Sequence, residues 1–200
     1  MKKLFLLASV MMLSVGAFAQ HEVGTLTIQP KVGLNIANYT GSEDLDPRIG
    51  LAAGAEFEYQ FTKMFSLSAG LLYSMQGAKE SVTEQGVKVR VTAKTDYINI
   101  PILANIYVAP GFALKFGIQP AFNVNSGYTA SAQGIDVSGS LSDFGVDINS
   151  FDFAIPVGLS YEYKNFVIDG RYNIGVMKMV DNDDSKNSVF QFTIGYKFNM

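Results

Sequence analysis

Phe151-Asp152-Phe153-Ala154-Ile155-Pro156-Val157-Gly158-Leu159-Ser160-Tyr161-Glu162-Tyr163, then Lys164-Asn165, then Phe166-Val167-Ile168-Asp169-Gly170-Arg171-Tyr172-Asn173-Ile174, decides how this chain is read. Phe151, Phe153, Ile155, Val157, Leu159, Tyr161 and Tyr163 occupy every second position, and Phe166, Ile168, Tyr172 and Ile174 do the same after the turn. Period two places them on one side of extended backbone, so the stretch is two strands joined by a tight turn. The opposite side carries Asp152, Glu162, Asp169 and Arg171 among small residues.

The same alternation recurs toward both ends. One face holds Leu26, Ile28, Val32, Leu34 and Ile36 against Gln29, Lys31, Gly33 and Asn35. Leu51, Phe57, Tyr59 and Phe61 oppose Gly54, Glu56, Glu58 and Gln60; Leu67, Leu71 and Tyr73 oppose Ser66, Ser68 and Ser74. Ile98 to Val108, Phe116 to Val124 and Phe190 to Phe198 complete eight stripes. Lys115 and Lys197 lie on the polar sides of the last two.

Alternation alone does not say which face is wet. A soluble barrel turns its apolar face inward and a membrane barrel turns it outward. None of the eight apolar stripes carries Asp, Glu, Lys or Arg, and the other face is largely Gly, Ala, Ser, Asn and Gln, too poor in charge for a soluble surface. Connections alternate in length. Thr62–Met64, Ala109–Gly111 and Lys164–Asn165 are short; Thr40–Arg48, Gly77–Lys94, Ser126–Ser150 and Lys178–Asn187 are long. Short turns at one end and long loops at the other are the outer-membrane pattern. The reading is an all-β, eight-stranded antiparallel up-and-down transmembrane barrel with short periplasmic turns and long extracellular loops.

Aromatic residues agree. Tyr59, Phe61, Phe65, Tyr107, Phe112, Tyr161, Tyr163, Phe166, Tyr196 and Phe198 flank the short turns or the chain end, as a periplasmic girdle does. Tyr39, Tyr73, Tyr97, Phe151, Tyr172 and Phe190 form a looser set toward the long loops. Pro30, Pro101, Pro120 and Pro156 fall inside strands of a barrel that has no free edge, so bulges or interfacial positions are expected there.

Composition bounds the rest. Of 200 residues, 48% are hydrophobic and 16% charged, which excludes disorder. With no Cys there are no disulfides or thiolate metal sites. Residues 1–19 have the form of a secretory signal: Lys2 and Lys3, an apolar run from Leu4 to Val15, and Ala17-Phe18-Ala19 as the cleavage site, with Gln20 following. Residues 20–200 are then the barrel domain, exported from the cytoplasm of a Gram-negative bacterium to its outer membrane. Without Lys2 and Lys3, 13 basic residues remain against 18 acidic, a formal charge of −5 that argues against nucleic acid as a partner.

At Asp96-Tyr97-Ile98-Asn99-Ile100-Pro101-Ile102-Leu103 the chain resembles the PorT-like outer-membrane β-barrels of the Bacteroidetes, which carry a Tyr-Leu-x-Ile-Pro-Leu signature on the fourth strand. The likeness continues through Ala109-Pro110-Gly111 and Leu114–Pro120, resumes at Phe151-Asp152-Phe153 and Gly158–Tyr163, and runs through Ile168–Gly175 to Gly195-Tyr196-Lys197-Phe198. It implies a barrel of about eight strands and no single activity. The member that names the family takes part in protein secretion.

Membrane-barrel hydrolases depend on a His beside Ser, Asp or Glu. His21 is the one histidine, and its place next to the mature N-terminus reads as a disordered periplasmic tail. The expectation is a protein that is not an enzyme and uses no cofactor. The inward charges are Lys31, Glu56, Glu58, Lys115, Asp152, Glu162, Asp169, Arg171 and Lys197. Four positive and five negative groups in so narrow a ring read as a plug of ion pairs, with Asp152 or Glu162 expected to meet Arg171. Asp181-Asn182-Asp183-Asp184-Ser185 is rich in oxygen ligands but lacks the Gly and distant Glu of an EF-hand, so it reads as a solvated turn. The 126–150 loop carries Ile135, Val137, Leu141, Phe144, Val146 and Ile148, enough apolar residues to extend the neighbouring strands or bind a partner. The expected role is structural or interactive, through extracellular loops, with outer-membrane lipid and an extracellular or secretion-system protein as partners. The alternatives are a small-solute or ion pore and an accessory component of a protein-secretion machine.

Overall fold

The structure is a computed structural model that describes residues 21–41, 45–84, 87–180 and 184–200. The signal segment and its cleavage pair, Ala19 and Gln20, lie outside the described residues, as do Asp181, Asn182 and Asp183. The strands are β1 (Leu26–Thr40), β2 (Asp46–Thr62), β3 (Phe65–Glu84), β4 (Val87–Asn99), β5 (Ile102–Ala109), β6 (Phe112–Ala132), β7 (Ile135–Ser140), β8 (Phe151–Tyr163), β9 (Phe166–Gly175), β10 (Lys186–Tyr196) and β11 (Phe198–Asn199). All pairings are antiparallel, and each consecutive stave pairs with the next. β4 with β5, and β10 with β11, are single staves interrupted once, so the ring has eight. It closes through β1 and β10, from Lys31 opposite Gly195 to Thr40 opposite Lys186. A methyl on Gly33 would collide with the Phe192 carbonyl across that seam, so no side chain fits there.

The radial order of side chains settles which face is wet. Ile49, Ile168 and Ile194 are 64%, 60% and 59% exposed, while Asn35, Asn105 and Asp169 are wholly buried. A water-soluble fold would reverse that order. With apolar side chains outside and polar ones within, only lipid suits the outer surface, and closure satisfies every central stave's backbone without an edge. The folded protein is accordingly expected to stay with membranes through a high-salt wash and to need detergent for release. Recovery in the soluble fraction would contradict this orientation.

Several sequence expectations are corrected. The four strand prolines cause no bulge: β1–β2 passes Pro30 and β8–β9 passes Pro156 without a register change. β3 meets β4 and then β5 in one continuous register across Pro101. Pro101 stands beside Gly70, whose N–H it accepts, and Pro120 beside Ile100, whose N–H it accepts; neither proline returns a donor. Two lost donors on adjacent strands explain why the fourth stave divides into β4 and β5. Register shifts fall instead between Pro47 and Ala52 and between Gln60 and Thr62 on β2, beside Asp96/Tyr97 where β6 steps from Asn125 to Asn123, and between Tyr107 and Ala109 on β5.

The 77–94 segment is not a loop. β3 and β4 stay paired from Leu72/Asn99 out to Glu84/Val87. β6 likewise runs on to Ala132, where β7 turns back along it, and a short 3-10 turn at Leu141–Phe144 follows, its Ser140 cap completed by Asp143. The aromatic sets also lose members to the interior: Tyr97 and Tyr107 are buried, and the Tyr39 hydroxyl bonds the buried Thr95. The outer girdles that remain are packed in rings, Tyr59–Phe61–Phe65 and Phe166–Tyr196–Phe198 near the short turns, with Tyr172–Phe190 and Phe122–Phe151 toward the other end.

Candidate functional site: the lumen and its extracellular mouth

Alternation sends every second side chain inward, and an eight-stave barrel has an interior little wider than those side chains. Midway, β1, β2, β6 and β9 bring together Lys31, Glu56, Lys115, Asp169 and Arg171. Lys31 Nζ lies 2.9 Å from Glu56 Oε2 and Lys115 Nζ 2.9 Å from Asp169 Oδ2. Arg171 donates from Nη2 to Glu56 Oε1 and from Nε to Asp169 Oδ1, both at 2.8 Å. Each of these side chains is 4% exposed or less, so none of the five charges has bulk water as a partner. Three cations face two carboxylates. The pairing expected for Arg171 is therefore corrected. It spans the lumen to Glu56 and takes its own-strand neighbour Asp169, because a two-residue step on a strand keeps both side chains on one face.

A second cluster lies nearer the short turns. Lys197 Nζ is 2.9 Å from Glu58 Oε2 and 2.8 Å from Glu162 Oε2, and it donates to the Tyr107 hydroxyl at 3.1 Å. Tyr107 and Ser66 both donate to Glu58 Oε1. His21 is no free tail residue: its Nε2 stands 3.0 Å from Glu162 Oε1, with the ring mostly buried. The N-terminal segment is tied to the barrel floor, where Gly24 N–H donates to the Gln60 carbonyl. One Lys against two Glu balances the surplus cation above. Asp152, the ninth inward charge, lies apart; Asn187 Nδ2 donates to it at 2.8 Å, as does the Phe153 N–H.

Among the described residues, the lumen between Asp152 and the central cluster is uncharged. Gln191 donates to Asn35, and Asn35 donates to Ser74. One buried ion pair was not singled out from sequence: Arg48 with Asp96 at 3.2 Å, where Tyr73 and Asn125 also donate to Asp96. The sequence reads Arg48 as the end of a long connection, yet Arg48, Gly50 and Ala52 continue the inward alternation of β2, which is the signal that places it.

Beyond the ring, β3, β4, β6 and β7 continue as a four-stranded ribbon. Val82, Val89, Ala132 and Ile135 stand in one cross-strand row, and Glu80, Val91, Ala130 and Val137 in the next, apolar but for Glu80 at its β3 end. By alternation this face continues the inward one of Gln76 and Thr95. It is not covered: Ile135 is 70% exposed, Val137 56% and Val82 48%. β7 pairs with β6 along one edge, and among the described residues its other edge is unpaired. In the acidic turn, Asp184 bonds Lys178 at 2.6 Å, and that hydrogen bond and charge hold its carboxyl below the usual range. Among the described residues no cluster of metal-ligating side chains is present.

Solved structures similar to this chain include the attachment invasion locus protein Ail of Yersinia pestis, at 18% identity over 88% of this chain and 100% of that one, with a TM-score of 0.49. Neisserial surface protein A matches at 11% identity over 86% and 97%, TM-score 0.47. OprG of Pseudomonas aeruginosa matches at 13% identity over 91% and 99%, TM-score 0.44. No curated protein matches the chain. A family model described as "Outer membrane protein beta-barrel domain" matches residues 18–181. With apolar side chains facing out, ion pairs within and closure through β1 and β10, the chain belongs to that family of outer-membrane β-barrels.

Proposed function

We propose that this barrel is a non-enzymatic interaction protein of the outer membrane that binds a protein partner through its extracellular ribbon while its lumen stays closed to solutes. The observation that carries the reading is the apolar ribbon face ending at Ile135 and Val137 beside an open strand edge. Contiguous apolar surface in water marks an interaction site, and an open edge accepts an extended segment by backbone pairing. The interior supports it, since the carboxylates of the two ion-pair clusters are already held by cations and His21 is held by Glu162. The Tyr97-Ile98-Asn99-Ile100-Pro101 signature supports placement among PorT-like barrels, where a surface or secretion-machine protein is the fitting partner. Cleavage after Ala19 leaves 20–200 as the mature barrel.

Crosslinking in native membranes tests this. A crosslinker on β7 is expected to capture a defined protein, and Ile135→Asn with Val137→Asn to reduce capture at least tenfold while the folded band on an unheated gel persists. Equal capture by the double variant would refute the ribbon as the site.

A further inference from the structure

Among the described residues, Asp152 is the inward charge without an opposite. With His21 neutral, the central and floor clusters balance each other, and Arg48 balances Asp96. Asp152 is the charge that remains, and it is buried. Its partners are two neutral donors: the Phe153 N–H meets Oδ1 and Asn187 Nδ2 meets Oδ2. Lys186, the neighbour of Asn187, points outward by alternation. Of the bases in 20–200, only Lys88 has its side chain outside the described residues. Its backbone stands opposite Thr83 at the ribbon tip, while the Asp152 row meets β4 at Asn99. From 88 to 99 is roughly 35 Å along the strand, out of any lysine's reach. A buried carboxylate without a cation is costly, so a counter-charge from outside the chain would stabilise it.

Oxygen atoms without partners stand beside it. Asn187 turns Nδ2 to Asp152 and to the Tyr97 hydroxyl, which leaves its Oδ1 with no hydrogen bond. Asn99, Ala121 and Asp152 form one inward row, with only the alanine methyl between amide and carboxylate. Neither Oδ1 nor Nδ2 of Asn99 has a partner. Asn187 and Asn99 are 3% and 1% exposed, so bulk water does not serve them. Buried polar atoms are nearly always satisfied, and an orphaned one points to a bound water or ion. An amide oxygen beside an ionised carboxylate is an acceptor next to an acceptor, and a cation joins the two. The depth allows entry. Phe151, the residue before Asp152, packs on Phe122 in the outer girdle toward the long loops, and Ser150 before it is exposed. An ion therefore reaches Asp152 from outside without passing the central cluster.

We propose that Asp152 and the amide oxygens of Asn187 and Asn99 bind one monovalent alkali-metal cation at the extracellular mouth of the lumen. Hard cations take oxygen ligands, and carbonyl oxygens replace part of the hydration shell of an alkali ion. One positive charge balances one carboxylate, whereas a divalent ion would bury a new excess charge. Such an ion needs no group of acids and histidines around it. The site lies inside the ring, away from the ribbon face that carries the proposed function, so either can fail without the other.

The test unfolds the protein with urea from phosphatidylcholine vesicles at neutral pH, in sodium chloride or in the same concentration of N-methylglucamine chloride, whose cation is too large for the row. At about 100 mM salt and a Kd of about 10 mM, the folded-to-unfolded ratio of wild type is expected to be about tenfold higher in sodium. Asp152→Asn is expected to abolish that difference. Asn99→Leu, which keeps the carboxylate, is expected to reduce it to about twofold, and it keeps the test open if Asp152→Asn does not fold. Asp136→Asn, at an exposed acid on β7, is expected to retain the full difference. Equal stability of wild type in the two salts would overturn the proposal; a gain on acidification alone would then identify Asp152 as a protonated acid. A sodium effect that survives Asp152→Asn would overturn it too. So would an equal gain from calcium at about 1 mM that Asp152→Asn removes, because the site would then be a divalent one.

Discussion

Asp169→Asn is expected to destabilise the folded barrel by about 3–5 kcal/mol, the range for removing one partner from a buried ionic group. The substitution keeps shape but leaves Lys31, Lys115 and Arg171 facing Glu56 alone. Arg171→Met is expected to cost less, near the lower end of that range at about 3 kcal/mol, because it takes away the surplus cation. It leaves Lys31 and Lys115 against Glu56 and Asp169, an even count. Adding Lys115→Met to Asp169→Asn should recover part of the loss, because it removes one of the stranded cations. Urea unfolding in phospholipid vesicles, followed by far-ultraviolet circular dichroism, measures all three. If the arginine variant proved the weaker, or the double variant merely summed its parts, the charge count would not be what holds the lumen.

Ile102→Lys carries the second large effect. Ile102 faces lipid on β5, opposite Ala69 and Ile118, well inside both girdles. A lysine there should cost about 2–4 kcal/mol if it lies near the midplane. Val108 has the same orientation, six residues toward the short-turn end, and Val108→Lys should cost about 0–1 kcal/mol because its stem reaches the interface. Equal costs would mean that this face does not meet a hydrocarbon layer. Asn105 is a poor lumen-side control for this comparison, being wholly buried and donating to Ser66 and Ser68.

The ring was legible in the sequence because one rule governs it. Period-two alternation with a charge-free outer stripe fixes strands, faces and the side that meets lipid, and the stripes from Leu26 to Phe198 read directly. Ends and extensions were not legible. Gly77 to Lys94 is polar and broken by glycine, as a loop is; its pairing depends on a partner strand that periodicity does not name. The prolines misled for a related reason. A lost donor costs one ladder bond, and closed neighbours on both sides hold the register where a free edge would slip. Inward charges were identifiable one at a time, but not their partners. Arg171 reaches Glu56 across the barrel, 115 residues away in sequence, and only the curvature of the closed sheet brings them together. His21 was misread because proximity to a terminus says nothing of the carboxylate waiting at Glu162.

The central claim is that the interior is a plug and the outside does the work. Planar-bilayer recording tests it most directly, using protein shown to be inserted by its protection from protease. The account predicts no steady current above the bare-membrane baseline. Regular ion-selective steps that shift when Glu56 or Lys115 is neutralised would contradict it, because those side chains would then line an open path.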